Sequence, residues 1–176
     1  MEMDVKWARW IKEKPGKIKS RCRKGVPDSL RGRIWAKLTG AEELQAKHPG
    51  RFAELVGMEI PEDHPVRPFA DVIEQDLHRT FPDHTMFTDD GYGRADMRSV
   101  LRAYALYNPE LGYTQGMGFV AGLLLMQMPA EMTFWALVAL LDSPDYLQGV
   151  YASGLREVQI STAMMDALLH DRMPKQ

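Results

Sequence analysis

A single cysteine, Cys22, serves the whole 176-residue chain, so no internal disulfide can brace it and a reducing compartment suits it. The longest apolar run, Phe119 to Met128 around Gln127, falls far short of the roughly 20 residues that a membrane-crossing helix needs. No secretory signal is visible in the opening MEMDVKWARW, which has neither an apolar stretch nor a small-residue cleavage site, so the expected location is cytoplasmic. Five histidines (His48, His64, His78, His84 and His170) never fall into H-E-x-x-H or a comparable ligand spacing, and no metal is expected. A G-x-S-x-G elbow is missing, and Cys22 sits in an arm read as too mobile to hold a base beside it, which argues against nucleophilic catalysis. The glycine-rich GYTQGMG lacks the Gly-Lys-Ser/Thr of a phosphate-binding loop, so the chain is expected to bind no nucleotide by itself.

Charge is nearly balanced overall and unevenly spread. Residues 1–40 hold twelve Lys/Arg against four Asp/Glu, leaving ten against twenty in the remainder. Residues 1–22 read as a basic N-terminal arm with a short amphipathic helix, in which Trp7, Trp10 and Ile11 fall at i, i+3, i+4 before Pro15-Gly16 breaks the pattern. Nucleic acid and anionic membranes both attract a segment such as KEKPGKIKSRCRK. With no aromatic interleaving and no base-reading motif, it is read as a solvated arm, and no nucleic-acid partner is expected.

Helical periodicity runs through nearly all the rest. VPDSLRGRIWAKLTG predicts a helix capped by Asp28 or Ser29, carrying Leu30, Ile34, Trp35 and Leu38 on one face and closed by Gly40. A second helix is expected over about 42–56. The segment 69–81 predicts a helix with Val72, Ile73, Leu77 and Thr80 as its buried stripe, ending where Phe81 precedes Pro82. Met97, Val100, Leu101 and Tyr104 repeat at helical spacing until Asn108-Pro109 stops them. Helices at about 117–128 and 131–141 are apolar on nearly every side and are expected at the centre of the core, with Gly118 and Gly122 allowing close helix approach. Ser143-Pro144 reads as a helix start, and Leu155, Val158, Met165 and Leu169 mark a final amphipathic segment. Asp89-Asp90, flanked by GYG, are turn formers rather than an acid–base pair. The fold class is all-α, an irregular multi-helix domain with no significant sheet.

Two polar residues raise a functional question. Arg79 lies three residues after Asp76 at a helix end, where it either complements the helix dipole with Asp76 as a surface partner or projects outward for another purpose. Gln115 stands at the mouth of the most apolar helix, either as a capping amide or as an exposed functional group.

Three ordered blocks resemble the TBC domain, the all-helical GTPase-activating domain that acts on Rab-type small GTPases. Arg31 and Trp35 supply an R-x-x-x-W element in RKGVPDSLRGRIW; Ile73, Asp76 and Arg79 supply I-x-x-D-x-x-R; Tyr113, Gln115 and Gly116 supply Y-x-Q-G. The resemblance runs from about Arg23 to the last residue, so 23–176 is expected to be the N-terminal portion of such a domain, truncated at its C-terminus. It implies that Arg79 is an arginine finger and Gln115 a glutamine finger, both supplied in trans, while GTP and Mg²⁺ belong to the partner GTPase and the chain has no cofactor of its own. Arg31 and Trp35 are expected to support the fold. A membrane is expected to be met only indirectly, through the GTPase, as in vesicle trafficking, and self-association through exposed apolar surface is expected. The alternative is a non-catalytic helical module that binds or scaffolds a GTPase.

Overall fold

The computed structural model describes residues 9–10, 13–88, 91–144, 146–151 and 156–173. Its elements are α1 (Pro15–Arg23), α2 (Asp28–Thr39), α3 (Ala41–Lys47), α4 (Arg51–Gly57), α5 (Arg67–Leu77), a 3-10 turn (Thr85–Phe87), α6 (Gly93–Tyr107), α7 (Met117–Leu125), α8 (Ala130–Leu141), α9 (Gln148–Tyr151) and α10 (Arg156–Arg172). Among the described residues there is no strand, and the fold is an all-α multi-helix domain. No helix there is long and apolar enough to cross a membrane.

The centre is built by α6 and α8, which pack on each other while α3 also rests on α8 and α4, α5 and α7 surround α6. Their sequences require this position. Met97, Val100, Leu101 and Tyr104 line up along α6, and α8 buries Phe134, Trp135, Leu137, Val138 and Leu141, because an apolar circumference has no face to offer water. Rings interlock around Trp135, which lies edge-on to Phe134 with centroids 4.8 Å apart and stacks on His48 at 5.4 Å.

Several boundaries differ from the sequence reading. The helix expected over 42–56 is two, because His48-Pro49-Gly50 interrupts it and Gly50 takes φ +76°. In α2, Pro27 stands at the cap and neither Asp28 nor Ser29 caps through its side chain; Asp28 pairs with Arg31 instead. Leu30 and Leu38 are exposed while Ala36 is buried, and Gly32 meets the Gln127 carbonyl so closely that any Cβ would overlap it. A close backbone contact, rather than a leucine stripe, therefore seats α2. Gly40 closes the helix in the left-handed conformation, as expected. Arg31 supports the fold by donating to the Val26 carbonyl at 3.1 Å, and Trp35 packs half-buried on the core.

Val72 departs from the expected stripe and faces outward, while Ala70 joins Ile73 and Leu77 inside. A residue adjacent to Ile73 is rotated about 100° from it, enough to leave a narrow buried face. Outward-facing Phe119 and Leu123 likewise keep α7 from being buried all round. Ser143-Pro144 does not start a long helix; only the four-residue α9 follows, and α10 packs on α9 with its side chains exposed from Glu157 onward. The arm also differs: α1 crosses the boundary expected after residue 22, Ile18 is buried and Cys22 is half-buried on a folded helix. Trp7, Ile11, Asp89, Asp90 and Leu155, singled out in the sequence, lie outside the described residues.

Candidate functional site

The site begins at the end of α5. Hydrogen bonding leaves the helix at Leu77, and the Asp76 carbonyl gathers the next donors: Arg79 N at 3.2 Å, Thr80 N at 3.1 Å and the Thr80 hydroxyl at 2.8 Å. This closed turn ends α5 four residues before the expected stop. Phe81 then takes φ +51°, a conformation that costs a bulky L-residue. Proline after it disfavours the right-handed helix region, and the left-handed alternative swings its ring against Phe87 and Phe119. Gly122 makes room, since a Cβ there would stand 2.8 Å from the Phe81 ring. The small residues of α7 thus admit the 80–81 turn as well as α6, whose Met97 touches the same glycine.

The second segment runs from Asn108 to α7. Gly112 at φ +59° and Gly116 at φ +100° reverse the chain twice, conformations that favour glycine. Between them Tyr113 is buried and donates its hydroxyl to Asp76 Oδ2 at 2.9 Å, while the Thr114 N–H points to Met117 Sδ at 3.4 Å. Gln115 is left exposed, with no side-chain hydrogen bond capping α7.

Asp76 joins the two segments. Its side chain is 4% exposed; Oδ1 accepts from Arg79 Nη2 while Oδ2 accepts from Tyr113. It is therefore a buried anchor and not the surface partner that spacing alone allows. Arg79, 55% exposed at its side chain, keeps its fork turned to solvent beyond that one nitrogen. Ile73, one turn earlier, is fully buried and fixes the base of the assembly.

Arg79 and Gln115 line one open cleft of about 580 Å³. Asp76, Thr80, Gly116, Phe119 and Tyr151 also contribute to its wall, and Val158 reaches it from α10. Neither Phe119 nor Tyr151 is singled out by the sequence patterns; a lone aromatic on an apolar helix carries no local signal of where its outer edge faces. Among the described residues no three His, Cys, Asp or Glu side chains gather as a metal-binding set.

Burial first, then the hydrogen bond to Asp76, pushes the Tyr113 phenol well above its ordinary range; burial and Asp142 do the same for Tyr104, whose hydroxyl donates to Asp142 Oδ1 at 2.8 Å. A pKa raised by folding contributes stability that is complete below the unfolded value, near 10, and is lost as pH climbs past it. The melting temperature is expected to fall between about pH 10 and 12. Replacing Tyr104 and Tyr113 together by phenylalanine flattens that fall, and ultraviolet titration of the native protein leaves these two of the six tyrosines silent. An equal slope in the double variant would remove both phenols as its cause.

The site is thus a cation and an amide presented from two segments of an all-helical domain, joined through one buried carboxylate, at one open cleft. The Rab-GTPase-TBC domain model matches residues 28–176, and the chain belongs to that family. It is 43% identical over 176 residues to human TBC1 domain family member 10B, covering 99% of this chain and 21% of that protein. Mouse TBC1 domain family member 10A is 42% identical over 175 residues, covering 99% and 34%, and the GTPase-activating protein GYP3 of Saccharomyces cerevisiae is 33% identical over 174, covering 92% and 27%. The chain thus spans about a fifth to a third of these relatives. The crystal structure of the Chlamydomonas flagellar RabGAP TBC domain is similar at a TM-score of 0.72 and 29% identity, covering 98% of this chain and 58% of that one.

Proposed function

We propose that the chain stimulates GTP hydrolysis by a Rab-type small GTPase, using Arg79 and Gln115 as fingers inserted into the partner's active site, where the partner carries GTP and Mg²⁺. The observation that supports this most is that the two exposed side chains, 36 positions apart in sequence, line one cleft, and that buried Asp76 bonds both Arg79 and Tyr113, two residues before Gln115.

The chemistry suits the two groups. Phosphoryl transfer leaves a protein little covalent work, so rate comes from positioning and from charge placed against the γ-phosphate and the leaving oxygen. A guanidinium stays protonated and its planar fork spans two oxygens. Glutamine combines an acceptor for the attacking water's proton with donors for a phosphate oxygen or a backbone carbonyl, so it orients the nucleophile without being a strong base. The Asp76 contact engages one terminal nitrogen of the guanidinium and leaves its other donors available, and the Tyr113 contact holds the loop that carries Gln115.

Single-turnover GTP hydrolysis across a panel of Rab-type GTPases tests this. At least one member is expected to be accelerated, and Gln115→Ala is expected to lower that rate about 10²- to 10³-fold, as for the loss of one preorganised hydrogen-bonding group. Binding to the GTPase without acceleration would instead identify a scaffold.

A further inference from the structure

We propose that α1 and the pocket beside it form a docking surface for an anionic lipid bilayer. Residues 14–24 hold six cations (Lys14, Lys17, Lys19, Arg21, Arg23 and Lys24) and no carboxylate. All six are exposed, and among the described residues no ion pair engages Lys19, Arg21, Arg23 or Lys24. Such a run unfolded would be a solvated tether. Here it forms a helix whose Ile18 is buried and lines one pocket with Val26, Pro27 and Ile34, so its charges stand on a helix beside an apolar hollow.

Charge alone does not choose between a bilayer and a nucleic acid, but the neighbouring pocket does. It measures about 330 Å³, and Trp10, Ile18, Val26, Pro27 and Ile34 give it an apolar wall beneath Lys17, Arg21 and Lys24. The Trp10 ring lies under two ammonium groups, with Lys17 Nζ 5.3 Å and Lys14 Nζ 5.8 Å from its centroid. An apolar hollow rimmed by cations matches the boundary between headgroups and acyl chains: tryptophan settles at that depth, lysine and arginine stems lie along apolar surface, and their heads reach phosphate. A sugar-phosphate backbone offers nothing apolar to fill the hollow. The surface acts independently of any GTPase chemistry, and it replaces a purely indirect membrane association with a direct one.

Vesicle co-sedimentation of the 176-residue chain tests the proposal, with phosphatidylcholine vesicles set against vesicles containing about 30% phosphatidylserine, at roughly 0.1 M salt. The chain is expected to sediment with the anionic vesicles only. Converting Lys19, Arg21, Arg23 and Lys24 together to glutamine is expected to weaken partitioning about 100-fold or more. Trp10→Ala, at an exposed position, weakens it about tenfold, a loss that persists at higher salt because it is apolar in origin. The proposal is overturned by equal retention on neutral vesicles, by no retention on anionic ones, or by a single-stranded oligonucleotide that strips the chain from vesicles at equal charge concentration. That last result would assign the surface to nucleic acid.

Discussion

Replacing Arg79 with alanine is expected to lower the single-turnover rate of GTP hydrolysis on a responsive Rab-type GTPase about 10³- to 10⁵-fold, the leverage of the trans-supplied guanidinium proposed above. At about 1.36 kcal/mol per decade, this corresponds to roughly 4–7 kcal/mol of barrier. A loss of this size is expected because, in the proposed role, the cation would meet the developing charge in a site from which water is excluded, where Coulombic stabilisation is far stronger than in solvent. Arg79→Lys is expected to recover little: an ammonium is a point charge that cannot span two oxygens and holds its water more tightly. Stability serves as the control. Arg79 is more than half exposed, but its removal takes the cation from the buried Asp76 Oδ1 and leaves only the Tyr113 bond on Oδ2, so some fall in melting temperature is expected and the rates are compared at a temperature where both proteins are folded. A variant that keeps its rate within about threefold of the parent would show that the cleft works without its cation.

Trp135→Ala produces the second large effect, and it appears in stability. The side chain has no exposed surface and touches the rings of His48, Tyr107 and Phe134, so truncation opens a cavity bordered by several helices. A loss of about 3–5 kcal/mol is expected, which at a urea slope of about 2 kcal/mol per molar moves the unfolding midpoint down by about 2 M. Trp135→Phe costs less, because among the described residues the indole Nε1 has no hydrogen-bond partner that its replacement would abandon. A midpoint shift under about 0.5 M for the alanine variant would mean that neighbouring helices collapse into the space. Together the two residues separate what holds the molecule from what acts at its surface. Arg79→Ala changes a rate in a folded protein, and Trp135→Ala changes the population that is folded.

Legibility in the sequence varied by element for physical reasons. The core positions of α6 could be read from the chain because Met97, Val100, Leu101 and Tyr104 repeat with the helix itself, a relation that spans only a few residues. The end of α5 was less legible: proline at 82 announces a stop, but the stop comes at Leu77, where the Asp76 carbonyl draws in three donors at once. The break between α3 and α4 was present as His48-Pro49-Gly50 and was overridden by the apolar periodicity on both sides. Amphipathic spacing marked a final segment, and the described side chains of α10 from Glu157 onward are exposed, since periodicity states which residues share a face and not what lies opposite.

By itself the sequence determined that the protein is helical, that the 131–141 segment lies at its centre, and that Arg79 and Gln115 stand in motif blocks of the TBC kind; the 117–128 segment, expected beside it, keeps an outward face at Phe119 and Leu123. Tertiary structure alone decided that these two residues share a cleft, that buried Asp76 ties Arg79 to Tyr113 in the loop of Gln115, and that Phe119 and Tyr151 contribute to the wall. It also decided that the basic arm forms a helix with Ile18 buried, beside an apolar hollow. Helix formation is governed by contacts three and four residues apart and is written locally. A cleft depends on where distant segments meet, which is set by packing one whole surface against another.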